Sequence, residues 1–146
     1  MSISLIENIH EETDEDLKEL VGRVVAIDFD GVIHSYHEGY KDGSIYGYVL
    51  PGAREFIKDL KNRGFRVVIN TSRVMDIRTN KPIPEVKEEL ENWLRQHDIP
   101  FDDIFPKVVA VCYIDDRAVR VDPMFSDSLS WENKKKEIEE VISRRI

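Results

Sequence analysis

The sequence predicts an α/β fold in which helices pack on a central parallel sheet. Three observations predict it. Short continuous apolar runs alternate along the chain with amphipathic stretches of helical period. Each apolar run is of strand length and lacks the alternation of a half-solvated strand, as expected for strands buried on both faces. Acidic and hydroxyl residues follow directly after the runs, where open parallel sheets bind their ligands.

Residues 1–20 read as an acidic helix or arm. Ile9, Thr13, Leu17 and Leu20 fall at helical spacing, and Thr13 with Asp16 has the look of a capping box. Val24-Val25-Ala26-Ile27 is the first predicted strand, buried on both faces. Residues 34–50 are rich in Gly and Tyr, lack helical period and read as a loop or irregular hairpin. Pro51 opens a helix whose apolar face is Ala53, Phe56, Ile57 and Leu60, and Gly64 stands where a glycine ends helices. Arg66 to Asn70 is the second strand. Pro82 and Pro84 precede a helix with the stripe Val86, Leu90, Trp93, Leu94 and His97. Val108 to Ile114 is the third predicted strand, and a last helix from Trp131 places Ile138, Val141 and Ile142 toward the core. This alternating order implies right-handed crossovers between parallel strands.

The chain has 146 residues, 41% hydrophobic and 34% charged, which suits one soluble domain over 21–146 with the acidic arm before it. No apolar run approaches the roughly 20 residues of a membrane span. Met1-Ser2-Ile3-Ser4 lacks a basic segment and a long apolar one, so no secretory leader is expected. Cys112 is the single cysteine and reads as a buried strand residue; a reducing cytoplasm is the expected location. The net charge is −8, of which residues 1–20 carry −6. The body is therefore nearly neutral, and no basic stripe supports nucleic-acid binding.

Asp28-Phe29-Asp30-Gly31-Val32 sets two carboxylates two residues apart at a strand exit. In extended chain both point to one side. Close anions repel unless a cation joins them, and hard oxygen ligands of this type suit Mg²⁺; the bland alternative is a solvated acidic turn. Thr71, followed by Ser72 and Arg73, puts hydroxyls at the second strand end, where they bind phosphate oxygens or serve as ordinary turn residues. Lys107 is a phosphate-neutralising cation or a surface lysine. Asp115-Asp116 forms a second acidic pair after an apolar run.

Taken together, the set resembles the haloacid dehalogenase superfamily of phosphohydrolases over roughly residues 22–122. The family's motifs match here in order: an apolar strand then DxDGV (Val24 to Val32), an apolar strand then Thr (Arg66 to Thr71), a lysine (Lys107), and an apolar strand then DD (Val108 to Asp116). The resemblance implies a Rossmann-like three-layer sandwich around a central parallel sheet. It implies Asp28 as nucleophile, Asp30 as general acid and base, and Thr71, Ser72 and Lys107 as phosphate holders. Asp28, the Asp30 carbonyl and Asp115 would hold Mg²⁺, with Asp116 ligating directly or through water. Such an enzyme hydrolyses phosphomonoesters through an aspartyl-phosphate.

Only about 40 residues separate the first and second motifs, so no large cap domain fits, and residues 34–50 are expected to form a small flap. Its Tyr36, Tyr40, Tyr46 and Tyr48 either stack on a substrate ring or pack on the body. Tyr36, Tyr46, Tyr48, His34 and Arg73 are the candidate substrate contacts. An uncapped site suits a phosphorylated macromolecule end, a nucleotide or polynucleotide phosphate included, or a small molecule if a second subunit covers the cleft. Two other classes remain as alternatives. A phosphoacceptor receiver domain uses similar residues in another order, and a non-catalytic protein could keep the fold to bind Mg²⁺ and phosphate.

Overall fold

Arg66–Thr71 forms the strand on which the rest is built, here β2. Val67, Val68 and Ile69 are all buried, and alternation along a strand sends them to opposite faces, so both faces are covered. The computed structural model describes residues 22–75 and 81–144. Within them β1 (Val24–Ile27) and β3 (Asp103–Pro106) flank β2, both parallel to it, in the order β1-β2-β3. The register sets Ile27 beside Ile69 and Thr71 beside Pro106. The expected acidic helix at the N-terminus lies outside the described residues.

Helix α1 (Ala53–Asn62) links β1 to β2 and buries Ala53, Phe56, Ile57 and Leu60, one stripe at helical spacing. It ends in a Schellman turn: Phe65 N–H donates to Leu60 O at 3.0 Å and Gly64 N–H to Lys61 O at 3.1 Å. Helix α2 (Ile83–Gln96) links β2 to β3 and buries Leu90, Trp93 and Leu94. Helix α3 (Trp131–Arg144) buries Trp131 and Ile138. The Trp131 indole N–H donates to Val32 O at 2.6 Å, which fastens α3 to the loop after β1. Among the described residues no helix is long and apolar enough to cross a membrane.

Two expectations are corrected. β1 is an edge strand of this sheet, with Ala26 exposed, rather than a strand buried on both faces. The strand expected at Val108–Ile114 is absent. The partner of β2 is Asp103–Pro106, and Val108, Val109, Val111, Ile114 and Cys112 are exposed. Asp102 seats the strand that does form. Its Oδ2 accepts the Val67 N–H at 2.7 Å and the Lys61 ammonium at 2.6 Å, while its own N–H donates to Val67 O at 2.8 Å. Asp103 is buried and paired with Arg66 at 3.1 Å. These bonds seat residues 102–106 along β2 and occupy its second edge. Burial raises the Asp102 pKa, but Lys61 and the Val67 N–H outweigh it and hold the group below the ordinary carboxylate value.

Asp102→Ala is therefore expected to destabilise the fold by about 1–3 kcal/mol, because it strands a backbone N–H and an ammonium together. The depressed pKa makes the Asp102 contribution full above the ordinary carboxylate value and lost as pH falls through the lower folded one. Denaturant melts of both proteins at neutral and acid pH measure this; a difference that does not shrink in acid would contradict it.

Candidate active site

Because the three strands are parallel, their C-terminal ends share one edge, and each end delivers a residue. Asp28 follows β1, Thr71 ends β2, and Lys107 follows β3. The Lys107 ammonium donates to Asp28 Oδ2 at 3.2 Å, joining residues 79 apart in the chain. Asp28 Oδ1 accepts the Phe29 N–H at 2.7 Å. The Lys107 N–H donates to Thr71 O at 3.1 Å, which continues the β2–β3 ladder to the site. The Tyr113 ring lies 4.1 Å from the Lys107 ammonium and covers it. Burial pushes the Asp28 carboxyl above its ordinary value of 3.8, while Lys107 and the Phe29 N–H pull the other way. Asp28 is thus a partly desolvated carboxylate with the Lys107 ammonium beside it.

Asp30 is held differently. Arg73 grips both its oxygens, Nε to Oδ2 at 2.7 Å and Nη2 to Oδ1 at 3.0 Å. His34 Nδ1 lies 2.8 Å from Oδ1. The loop after β1 makes this contact, since Ile33 and His34 both donate N–H to Phe29 O and fold the chain back over Asp30. His34 Nε2 accepts the Gly47 N–H at 2.8 Å, so the proton sits on Nδ1 and points to Asp30. The imidazole is fully buried, stacked 5.4 Å from Phe29 and edge-on to Trp93 at 5.5 Å.

Residues 34–50 form a loop closed at its base. Ser35 N–H donates to Tyr48 O and Leu50 N–H to Ile33 O, each at 2.8 Å. Ser35 Oγ accepts the Tyr48 N–H at 3.1 Å. Gly47 has to be glycine: a Cβ there would stand 2.1 Å from Ser35 Oγ and 2.7 Å from His34 Nε2. The tyrosines divide. The Tyr46 hydroxyl accepts the Glu38 N–H at 2.8 Å and donates to Gly39 O at 2.7 Å, and its ring packs on His34, so it braces the loop. Tyr36 lies between His34 and the Arg73 guanidinium, with a left-handed φ of 49°. Tyr40 and Tyr48 are exposed. Tyr46→Phe is expected to cost about 1–2 kcal/mol of stability, because two backbone groups lose their partner, whereas Tyr48→Ala changes stability by less than about 0.5 kcal/mol. Paired thermal melts check this, and equal losses would contradict the division.

The other site residues expected from the sequence sit as follows. Thr71 is buried, and its Oγ1 accepts the Arg73 N–H at 3.2 Å, closing a local turn. Ser72 opens the short 3₁₀ turn Ser72–Met75. Asp115 and Asp116 are exposed; Asp115 Oδ1 accepts the Arg117 N–H at 2.8 Å, and Asp116 lies 3.9 Å from Arg117 Nε. The acidic pair therefore does not close a buried strand, since that strand is not formed. Among the described residues no three His, Cys, Asp or Glu side chains are close enough to share a metal ion. Asp30 is expected to ligate through its carbonyl, while its carboxylate is held by Arg73 and His34. Reading residue types along the chain singled out His34 and Arg73 as substrate contacts and passed over Tyr113. The Arg73–Asp30 contact joins residues 43 apart and carries no local signal, whereas His34 stands only four residues from Asp30 and Tyr113 six from Lys107.

No protein-family model and no curated protein matches this chain. It is similar to a crystal structure of a target protein from Vibrio cholerae. The two share 25% identity and a TM-score of 0.57, over 84% of this chain and 98% of that one. The likeness spans nearly all of it and accords with a Rossmann-like α/β fold built on a small parallel sheet.

Proposed function

We propose that the chain is a phosphomonoesterase of the haloacid dehalogenase type in which Asp28 is the nucleophile. The observation that carries this reading is the Asp28–Lys107 pair at the shared edge of the parallel strands. A partly desolvated carboxylate is a competent nucleophile, and an ammonium beside it offsets charge on a phosphoryl group. Asp28 Oδ attacks phosphorus in line, the bond from phosphorus to the ester oxygen breaks, and that oxygen takes a proton from Asp30. Water then gives a proton back to Asp30 and attacks the aspartyl-phosphate. Inorganic phosphate leaves, Asp28 returns as a carboxylate, and Asp30 is again protonated.

Among the described residues the edge carries no large cap, which suits a phosphorylated macromolecule end or a small phosphate ester. The exposed thiol of Cys112 accords with a reducing cytoplasm. The Mg²⁺ expected from the paired carboxylates enters none of these steps, and its requirement is a separate measurement. The test is hydrolysis of p-nitrophenyl phosphate with Mg²⁺ and with EDTA, together with trapping of a hydroxylamine-labile phosphoenzyme. Turnover and trapping that both disappear in Asp28→Asn support the reading. A phosphoenzyme that forms once without turnover points to a phosphoacceptor, and no reaction with any phosphate ester sinks the proposal.

A further inference from the structure

The hold on Asp30 reaches beyond the strand ends. A carboxylate offers four lone-pair sites. Arg73 Nη2 and His34 Nδ1 fill both on Oδ1, and Arg73 Nε fills one on Oδ2. Among the described residues one site on Oδ2 is left, and a transferable proton has to reside there. The two groups that orient this oxygen are themselves tied to the loop 34–50. Arg73 Nη1 donates to Gly43 O at 2.9 Å, and His34 Nε2 accepts the Gly47 N–H at 2.8 Å. Both are well shielded, His34 fully and Arg73 with about 10% of its side chain exposed. A neutral imidazole with one donor and one acceptor can serve both ends at once, and a guanidinium fork can hold a carboxylate while a third nitrogen reaches the loop.

We propose that His34 and Arg73 are positioning residues that latch the 34–50 flap to Asp30, so that its proton-carrying oxygen is aimed only while the flap is seated. This rests on the phosphohydrolase reading. It separates two steps. With p-nitrophenyl phosphate the leaving nitrophenolate needs no proton, so Asp28 can be phosphorylated without an aimed Asp30. Hydrolysis of the aspartyl-phosphate needs Asp30 to take a proton from water, so that step depends on the latch.

The experiment has two arms on the full chain. In the first, rapid mixing with p-nitrophenyl phosphate compares wild type with Arg73→Met, His34→Ala and His34→Asn. Arg73→Met and His34→Ala are expected to keep the nitrophenolate burst within about threefold. Their steady-state turnover is expected to fall by about 30-fold or more while phosphoenzyme accumulates. His34→Asn keeps an N–H near the Nδ1 position and should recover about tenfold of the loss. Burst and turnover falling together, or a rise in KM alone, would overturn the latch. In the second arm, hydrogen exchange is followed in Asp30→Ala. Exchange of the Gly47 amide should rise by about tenfold or more while the Ile69 amide is unchanged. An unaltered Gly47 amide overturns the latch whatever the activity. A wild type that never forms phosphoenzyme sinks the phosphatase reading instead, and the exchange arm still decides the coupling.

Discussion

Asp28→Asn is expected to lower kcat by about 10⁴-fold or more and to abolish the trapped phosphoenzyme, because an amide oxygen cannot replace the attacking carboxylate. The same substitution should stabilise the folded chain at neutral pH. Burial raises the Asp28 pKa, so the native state binds that proton more tightly than the unfolded state does. Below the unfolded value of 3.8 the group is protonated in both states and costs nothing. As pH rises through that value toward the folded one, the unfolded chain ionises first and native stability falls. Asn escapes this cost. Thermal melts from about pH 3 to pH 8 should show the variant melting higher than wild type at neutrality, with the gain fading in acid. A site tuned at the expense of stability behaves this way. A variant that keeps turnover would remove Asp28 from the mechanism.

Lys107→Met ranks second. Methionine keeps the length and apolar stem of lysine but removes the ammonium that donates to Asp28 at 3.2 Å. Loss of one preorganised cation at a phosphoryl site is expected to cost about 10²–10³-fold in kcat. Lys107 is among the groups that hold the Asp28 pKa down, so its removal should raise that pKa further and move the acid limb of the pH–rate profile to higher pH. Lys107→Arg keeps the charge in a bulkier planar group and should retain part of the rate. If the Lys107→Met profile keeps its wild-type acid limb, the pair seen at the strand edge has no part in the reaction.

Mg²⁺ marks where the two levels of evidence part. Two carboxylates at a strand exit are chemistry that a divalent cation would resolve. In the folded chain Arg73 and His34 hold the Asp30 carboxyl, and Asp115 and Asp116 are exposed. If the proposed hydrolysis is found, activity in EDTA against activity in Mg²⁺ decides between the two descriptions.

Several parts of this protein were determined by the sequence alone, and they are the local ones. The faces of α1 and α2 follow from helical period, which repeats within each segment: Ala53, Phe56, Ile57 and Leu60 in one, Leu90, Trp93 and Leu94 in the other. The run Val67-Val68-Ile69 could only be a strand covered on both sides, and Asp28, placed directly after β1, had to leave at a strand end. The tertiary structure decided what depends on competition between distant segments. Val108–Ile114 is the more apolar run, yet residues 103–106 are the ones that pair with β2, where Asp102 supplies a carboxylate to the Val67 N–H and the Lys61 ammonium at once. A hydrophobic pattern records how much surface a segment would bury; it does not record which partner meets its polar groups. The same holds at the site. Nothing along the chain says that Arg73 reaches Asp30 or that Gly47 meets His34, since those bonds exist only after β1, β2 and the flap are brought together, whereas His34 meets Asp30 through a local turn.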